Sequence, residues 1–293
     1  MTQRSTNGLP DGPGTTTVGP TSFRWGTRTF VMGIINVTPD SFSGDGVLDD
    51  GADHDVIELA RSMVDAGADI LDLGGESTRP SHSAVTPSDE IARVLPAIQA
   101  VREAFPTMPI SVDTTKADVA AAAIDAGADL INDVWGVGAD DAMVRLAAER
   151  QVPIVLMHNR TEARYTNLIP EIVADLQRAI ERALQVGIDW DDILIDPGFG
   201  FGKTAEHNVV VLRELPTLAL LGRPILLGTS RKSTLGRVLD LPADQRLEAT
   251  LATTALAIAA GVDIVRVHDV RENVRAARMA DAVVRGTWQE GEG

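Results

Sequence analysis

The chain has no cysteine in 293 residues. That excludes a disulfide framework and any thiolate-held zinc or iron–sulfur centre, and it agrees with a reducing compartment such as the cytoplasm. No apolar stretch approaches the roughly 20 residues that a membrane helix needs. The richest candidate, "TLATTALAIAAGVDIVRV", is broken by Thr, Gly and Asp and reads as a buried helix running into a strand. Positive charge is also scarce. With 26 Lys and Arg against 42 Asp and Glu, the formal net charge is −16, and nucleic-acid binding, which needs a basic surface, is not expected. Any anionic substrate must be held by locally placed cations against the field of the whole molecule. The first 22 residues carry no apolar core, so they are not a secretory signal. Their Gly, Pro and Thr content predicts a disordered arm. Residues 287–293 read as a loose tail, which leaves 23–286 as one folded unit.

What is present begins with a repeat. "DAGAD" occurs at Asp65–Asp69 and again at Asp125–Asp129, each time followed by an apolar run. Before the first copy, Val56, Leu59, Ala60 and Met63 recur at helical spacing. Gly67 stands where a helix stops, because Gly adopts positive φ without a Cβ clash. "ADVAAAAIDAGADLINDV" repeats the pattern, and "RALQVGIDWDDILID" and "ALAIAAGVDIVRV" are looser copies. "TFVMGIIN", "MPISVDT", "QVPIVLMH" and "GRPILLGTS" supply four more apolar segments of strand length. Continuous hydrophobicity marks strands buried on both faces, and helical crossovers imply parallel pairing. Eight βα units in a chain of this length predict an α/β fold of the (β/α)8 TIM-barrel class. An open doubly wound sheet is the alternative.

Every predicted strand ends in a polar group. In order these are Asn36; Asp72 and Glu76; Asp113; Asn132 and Asp133; His158; Asp196; Ser230, Arg231 and Lys232; and Arg266 and His268. Catalysis in barrel enzymes sits at the C-terminal ends of the strands, so the agreement counts for more than any one residue. Taken singly, Asp72, Asp133 and Asp269 read as turn formers or caps, Asp113 as a cap for the helix near Lys116, and His158 as a satisfied core histidine. "PGFGFGKT" looks like a phosphate loop, but Pro197 stands where the first Gly is required. What remains is a loop presenting Phe199, Phe201 and Lys203, with aromatic rings expected to be exposed for stacking on a flat ligand. In "GTSRKSTLG", Ser230 or Ser233 is expected to cap a helix that Lys232 precedes. Arg266 and His268, two apart on one strand, point the same way. Asp113, Asn132 and Asp196 suit the donor-rich edge of a nitrogen heterocycle. Arg79, Lys203, Lys232, Arg266 and His268 suit an anionic group.

The ordered strings "GIINVTPDSFS", "DLGGESTRP", "SVDTTKADVA", "IND", "LMH", "DPGFGFGKT", "GTSRKS" and "RVHDV" resemble the dihydropteroate synthase family from about Phe30 to Arg285. The resemblance implies joining 6-hydroxymethyl-7,8-dihydropterin pyrophosphate to para-aminobenzoate, with release of pyrophosphate. It places the pterin on Asp113, Asn132, Asp196 and Lys232, and pyrophosphate on Asn36, Arg79, Arg266 and His268. Mg2+ would bind through Asn36, and para-aminobenzoate against Thr78, Arg79, Pro80, Phe201, Lys203 and Ser233. Asp113, Lys232, Arg266 and His268 would be catalytic, and the protein a cytoplasmic homodimer. One departure is the loop Ser43-Gly44-Asp45-Gly46, whose acidic residue stands one position later than in the family's "SFSDGG". The other is the short "NRTEARYTN" after His158. A pterin-dependent methyltransferase and a non-catalytic pterin-binding relative are the alternatives.

Overall fold

The computed structural model describes residues 14–37, 51–76, 85–136, 138 and 141–288, with the backbone alone at 51–54. A hairpin of β1 (Thr15–Val18) and β2 (Thr21–Arg24) leads into eight strands: β3 (Phe30–Asn36), β4 (Ile70–Gly74), β5 (Ile110–Asp113), β6 (Leu130–Asp133), β7 (Ile154–Met157), β8 (Ile193–Asp196), β9 (Leu226–Leu227) and β10 (Ile264–Val267). The helices between and after them are α1 (Gly51–Asp65), α2 (Pro87–Ala104), α3 (Ala117–Asp125), α4 (Ala142–Arg150), α5 (Leu168–Gln185), α6 (Ala205–Arg213), α7 (Leu215–Ala219), α8 (Ser233–Leu239), α9 (Leu247–Ala259) and α10 (Val270–Val284). All pairings within the eight-stranded sheet are parallel, in the order β8-β7-β6-β5-β4-β3-β10-β9. The ring closes through a parallel bridge between Ile195 and Ile225. The fold is therefore the predicted barrel.

The period of two along each strand divides the interior from the helix-facing core. Val31, Ile35, Leu71, Leu73, Ile110, Val112, Ile131 and Ile154 point outward and pack with the helices. Their neighbours Met32, Ile70, Leu130, Val155, Leu194, Leu226 and Ile264 point inward and form a separate cluster. The helices answer with amphipathic stripes: α5 buries Ile172, Leu176, Ala179, Ile180 and Ala183, at i, i+4, i+7, i+8 and i+11. Continuing the inward positions toward the strand ends brings Asp72, Asp113, Asn132, Asp196 and Arg266 to the same axis.

The repeat finds its meaning at the other end. Gly67, Gly127, Gly187 and Gly261 have φ of +96°, +115°, +98° and +92°, each turning a helix into a strand. The Asp that ends the motif is structural too. Asp69 Oδ2 accepts from Val31 N at 2.8 Å, and Asp129 Oδ2 from Ile110 N at 2.9 Å. Asp263 Oδ2 in the looser copy accepts from Ile225 N at 3.1 Å. Each carboxylate pins its strand's start to the neighbouring strand.

The disordered arm expected over residues 1–22 is overturned from residue 14 on; residues 1–13 lie outside the described residues. Residues 15–24 pair as an antiparallel hairpin, with the two-residue turn Gly19-Pro20 and Gly19 at φ +56°. Glycine, proline and threonine here serve a hairpin rather than disorder. Phe23, Trp25 and Phe30 pack with centroids 5.0 to 5.6 Å apart and join the inward-facing cluster, so they plug the lower mouth of the barrel. Phe23 is 1 % exposed. Phe23→Ala is expected to cost about 3–5 kcal/mol, the range for emptying a buried aromatic site. Guanidinium unfolding measures it, and a loss below about 1 kcal/mol would show that the plug does not hold the barrel.

Candidate active site

Four strand ends converge in a charged floor. Arg266, on β10, donates from Nε to Asp72 Oδ2 at 2.6 Å and from Nη2 to Asp113 Oδ2 at 2.5 Å. Asn132 Nδ2 donates to Asp72 Oδ2 at 3.3 Å. In the sheet register Asp113 lies beside Asn132, and Asp72 beside Ser111. Asp72, expected to be a turn former, is instead a fully buried member of this floor. Nor does Asp113 cap a helix: α3 has Lys116 at its N-cap and no side-chain cap. Asp196 fills two positions at once, accepting from Gly198 N at 2.6 Å while sensing the charges of Lys232 and Arg266.

Burial sets the electrostatics. It pushes the Asp113 carboxyl up to about 7 against the pull of Arg266, with Asp72 and Glu90 adding to the rise. It raises Asp196 as well, despite Lys232. The Lys232 ammonium is pushed down to about 8 by burial, with Asp196 opposing and Arg266 reinforcing. Burial also disfavours the Arg266 charge, but Asp72 and Asp113 outweigh it and hold the guanidinium above its ordinary value.

The loop after β8 wraps these groups. Gly198, Gly200 and Gly202 all have positive φ, at +69°, +85° and +53°. A Cβ on Gly198 would lie 1.8 Å from His158 O, one on Gly202 2.4 Å from Arg160 O, and one on Gly200 2.8 Å from Lys232 Cδ. Only glycine lets the loop lie this close to the β7 end and to Lys232. Lys232 Nζ donates to Phe199 O, and the Phe201 ring lies 4.3 Å from the same ammonium. Phe199 was expected to be exposed; its side chain is fully buried in the helix-facing core. Lys203 was expected to face an anion and contact para-aminobenzoate. Its ammonium turns inward to His158 Nδ1 and to three backbone carbonyls. A phosphate loop presents N–H groups to its ligand, whereas this one presents carbonyls to its own lysine.

A family model described as pterin binding enzyme matches residues 32–268. A dihydropteroate synthase of Clostridium beijerinckii is 49% identical over 92% of this chain and 99% of its own length. That of Bacillus subtilis is 48% identical over 90% and 92%. The chain belongs to the dihydropteroate synthase family. Among solved structures, the Clostridium difficile enzyme in the presence of pteroic acid superposes with a TM-score of 0.87 at 49% identity, covering 90% of this chain and 99% of that one. The Xanthomonas albilineans enzyme with 4-aminobenzoic acid gives 0.84 at 40%, covering 89% and 95%.

The other family positions are placed as follows. Asn36 ends β3 at the mouth, opposite Gly74. His268, just beyond β10, has Nδ1 2.9 Å from Ser230 Oγ, and its backbone N–H donates to the same hydroxyl at 3.1 Å. Ser230 is thus occupied with His268. Neither serine caps α8, whose N-cap is Lys232 without a side-chain cap and whose first residue is Ser233, exposed. Arg266 and His268, expected to converge on phosphate, are held by different partners, Arg266 by carboxylates and His268 by Ser230. His158 is the satisfied core histidine. It is fully buried, with Nε2 3.2 Å from Asp175 Oδ2, and is pushed down to about 3 by burial and then by the Lys203 charge. Thr78, Arg79, Pro80 and the loop with Asp45 lie outside the described residues.

Proposed function

We propose that this chain condenses 6-hydroxymethyl-7,8-dihydropterin pyrophosphate with para-aminobenzoate to give 7,8-dihydropteroate and pyrophosphate. One observation carries the reading. In the floor that Asp113, Asn132 and Arg266 share, Asp113 Oδ1 and Asp72 Oδ1 are buried with no hydrogen-bond partner among the described residues. A buried acceptor left unpaired is costly, and the N–H edge of a pterin supplies the missing donor to Asp113. Asn132, Asp196 and Lys232 complete the contacts to the heterocycle. The para-aminobenzoate contacts reduce to Phe201, Ser233 and the segment carrying Thr78, Arg79 and Pro80, because Lys203 is committed elsewhere.

In the reaction the methylene carbon–oxygen bond breaks and its electron pair leaves with pyrophosphate. The carbon becomes positive, and the Asp113 carboxylate stabilises that charge electrostatically. Asn36, Arg79, Arg266 and His268 take the leaving group. The aniline nitrogen then attacks the carbon and releases a proton, so no covalent enzyme nucleophile is needed. Among the described residues no three acidic or histidine side chains could hold a metal by themselves. Asn36, at the end of β3, is the residue that would hold Mg2+, which suits an ion that binds through few protein ligands plus substrate phosphates. When bound, it neutralises charge on the departing pyrophosphate.

The carboxylate form of Asp113 and the ammonium form of Lys232 are the competent ones. Activity of the free enzyme should rise as pH passes about 7 and fall as it passes about 8. Because these groups interact, the two limbs belong to the coupled set. Asp113→Asn is expected to remove the acidic limb from the kcat/KM profile; a wild-type profile flat from pH 6 to 9 contradicts the assignment.

The deciding assay mixes protein, the pterin pyrophosphate, para-aminobenzoate and Mg2+, and follows pyrophosphate with and without a sulfonamide. Sulfonamide-sensitive release supports the synthase, whereas pterin binding without turnover favours a non-catalytic relative. A cytoplasmic homodimer completes the proposal. The absence of cysteine agrees with the compartment, and among the described residues no helix is long and apolar enough to cross a membrane. For the dimer, α9 exposes Ala252, Ala255, Leu256 and Ala259 at helical spacing, and α10, which packs against it, exposes Met279 and Val283. An apolar face of this kind fits a second copy. Light scattering should give twice the chain mass, and a monomeric mass would discard this part.

A further inference from the structure

We propose that Lys203 is a positioning residue, which sets Phe201 for para-aminobenzoate without touching either substrate; this rests on the function proposed above. The ammonium lies 2.9 Å from His158 Nδ1, 3.0 Å from Gly198 O, 3.1 Å from Phe201 O and 3.3 Å from His158 O. Four acceptors leave it no donor for a ligand unless the cage opens. His158 is neutral, so its Nδ1 accepts from Lys203 while Nε2–H donates toward Asp175. Three carbonyl dipoles converge on one point, and the N–H donors of the Lys203 side chain, which burial pushes down to about 7, hold them there.

The two loop acceptors, Gly198 O and Phe201 O, bracket the groups that meet Lys232, namely the Phe199 carbonyl and the Phe201 ring. The near end of the bracket has other anchors. Asp196 accepts from Gly198 N at 2.6 Å, and Asn208 Oδ1 accepts from Gly200 N at 2.8 Å. The far end has one anchor outside the loop besides Lys203, the bond from Tyr165 OH to Gly202 O at 2.8 Å, since the turn bond from Phe201 N to Gly198 O stays within the loop itself. Removing the Lys203 donors therefore loosens Phe201 more than it loosens Phe199 O and Lys232. The effect must be polarised toward the second substrate.

The test is steady-state kinetics of the full chain with each substrate varied. Lys203→Met is expected to raise the KM for para-aminobenzoate at least about 10-fold, with the KM for the pterin pyrophosphate and kcat within about 3-fold. On a Phe201→Ala background the same substitution should add less than about 2-fold, because its route runs through that ring. A full 10-fold increment on that background would mean that Lys203 contacts the substrate itself, and would overturn the proposal. So would equal rises in both KM values. Should Lys203→Met fail to fold, Tyr165→Phe loosens the same loop end more mildly and must show the same one-sided shift; equal shifts overturn the proposal there too. Absence of turnover in the wild type sinks the function reading, and is thereby distinguished from failure of the positioning role.

Discussion

Arg266→Ala is expected to lower turnover by at least about 1,000-fold and to weaken the fold by about 3–5 kcal/mol. The second figure follows from what is left behind. Asp72 is fully buried and Asp113 nearly so, and Arg266 is the guanidinium that holds one oxygen of each. Breaking a buried pair by removing one partner leaves a buried acid without its counter-charge, and here Asp72 and Asp113 both lose it, Asp113 answering by taking up a proton. The first figure follows from protonation. Asp113 already titrates near 7 with the arginine pulling it down, so without Arg266 it rises further and is neutral at working pH. A neutral acid does not stabilise a cationic methylene carbon, and loss of one preorganised electrostatic group alone costs about 100- to 1,000-fold. Because both acids stand together, pterin affinity should fall along with pyrophosphate handling.

The pH dependence of that destabilisation has a definite sign. Asp113 has a folded-state pKa raised from 3.8 to about 7, so the native state binds more protons than the unfolded chain between these values. Stability therefore declines as pH rises through that window in wild type and variant alike; above about 7 the wild type levels off while the variant, whose Asp113 still holds its proton, keeps losing stability, so its deficit grows from about pH 7 upward. Urea unfolding at several pH values and pyrophosphate release measure the two effects. Turnover within about 10-fold of wild type, together with an unchanged unfolding midpoint, would remove Arg266 from the floor.

Lys232→Ala should raise the dissociation constant for a pterin at least about 100-fold, in line with losing a charge-assisted contact at a buried site. The ammonium is clasped between the Phe199 carbonyl, the Phe201 ring and the charge of Asp196. Its aliphatic stem also backs Gly200, where an added Cβ would lie 2.8 Å from Lys232 Cδ. Lys232→Arg is not expected to restore binding, because a planar guanidinium needs width where the glycine loop passes. Fluorescence titration with a pterin in the absence of para-aminobenzoate isolates this effect. A change below about 3-fold would take Lys232 out of the pterin site.

The repeat and the strand ends were legible in the chain because both follow from local periods. Gly67 and Gly127 mark helix–strand turns wherever they are read, and an apolar run ending in Asp113 or Asn132 has to deliver that side chain at the mouth of a parallel barrel. Asp72 was misread because an aspartate after "IL" looks the same whether it caps a turn or faces inward; the register of β4 against β5 distinguishes the two. Lys203 was misread because its motif resembles a phosphate loop, and the direction of the loop's carbonyls depends on His158, 45 positions away. The hairpin was hidden by its composition, since glycine, proline and threonine serve turns and disorder alike.

The order of strands and helices, the inward and outward faces, and the polar rim were determined by the sequence alone, through periodicities that act over a few residues. Tertiary structure alone decided which charges meet. Arg266 reaches Asp72 across 194 positions and Asp113 across 153. Burial at that meeting point then set the protonation of Asp113 and Lys232. Pairing and desolvation both depend on the closed barrel, which brings distant strand ends to one axis and removes them from water.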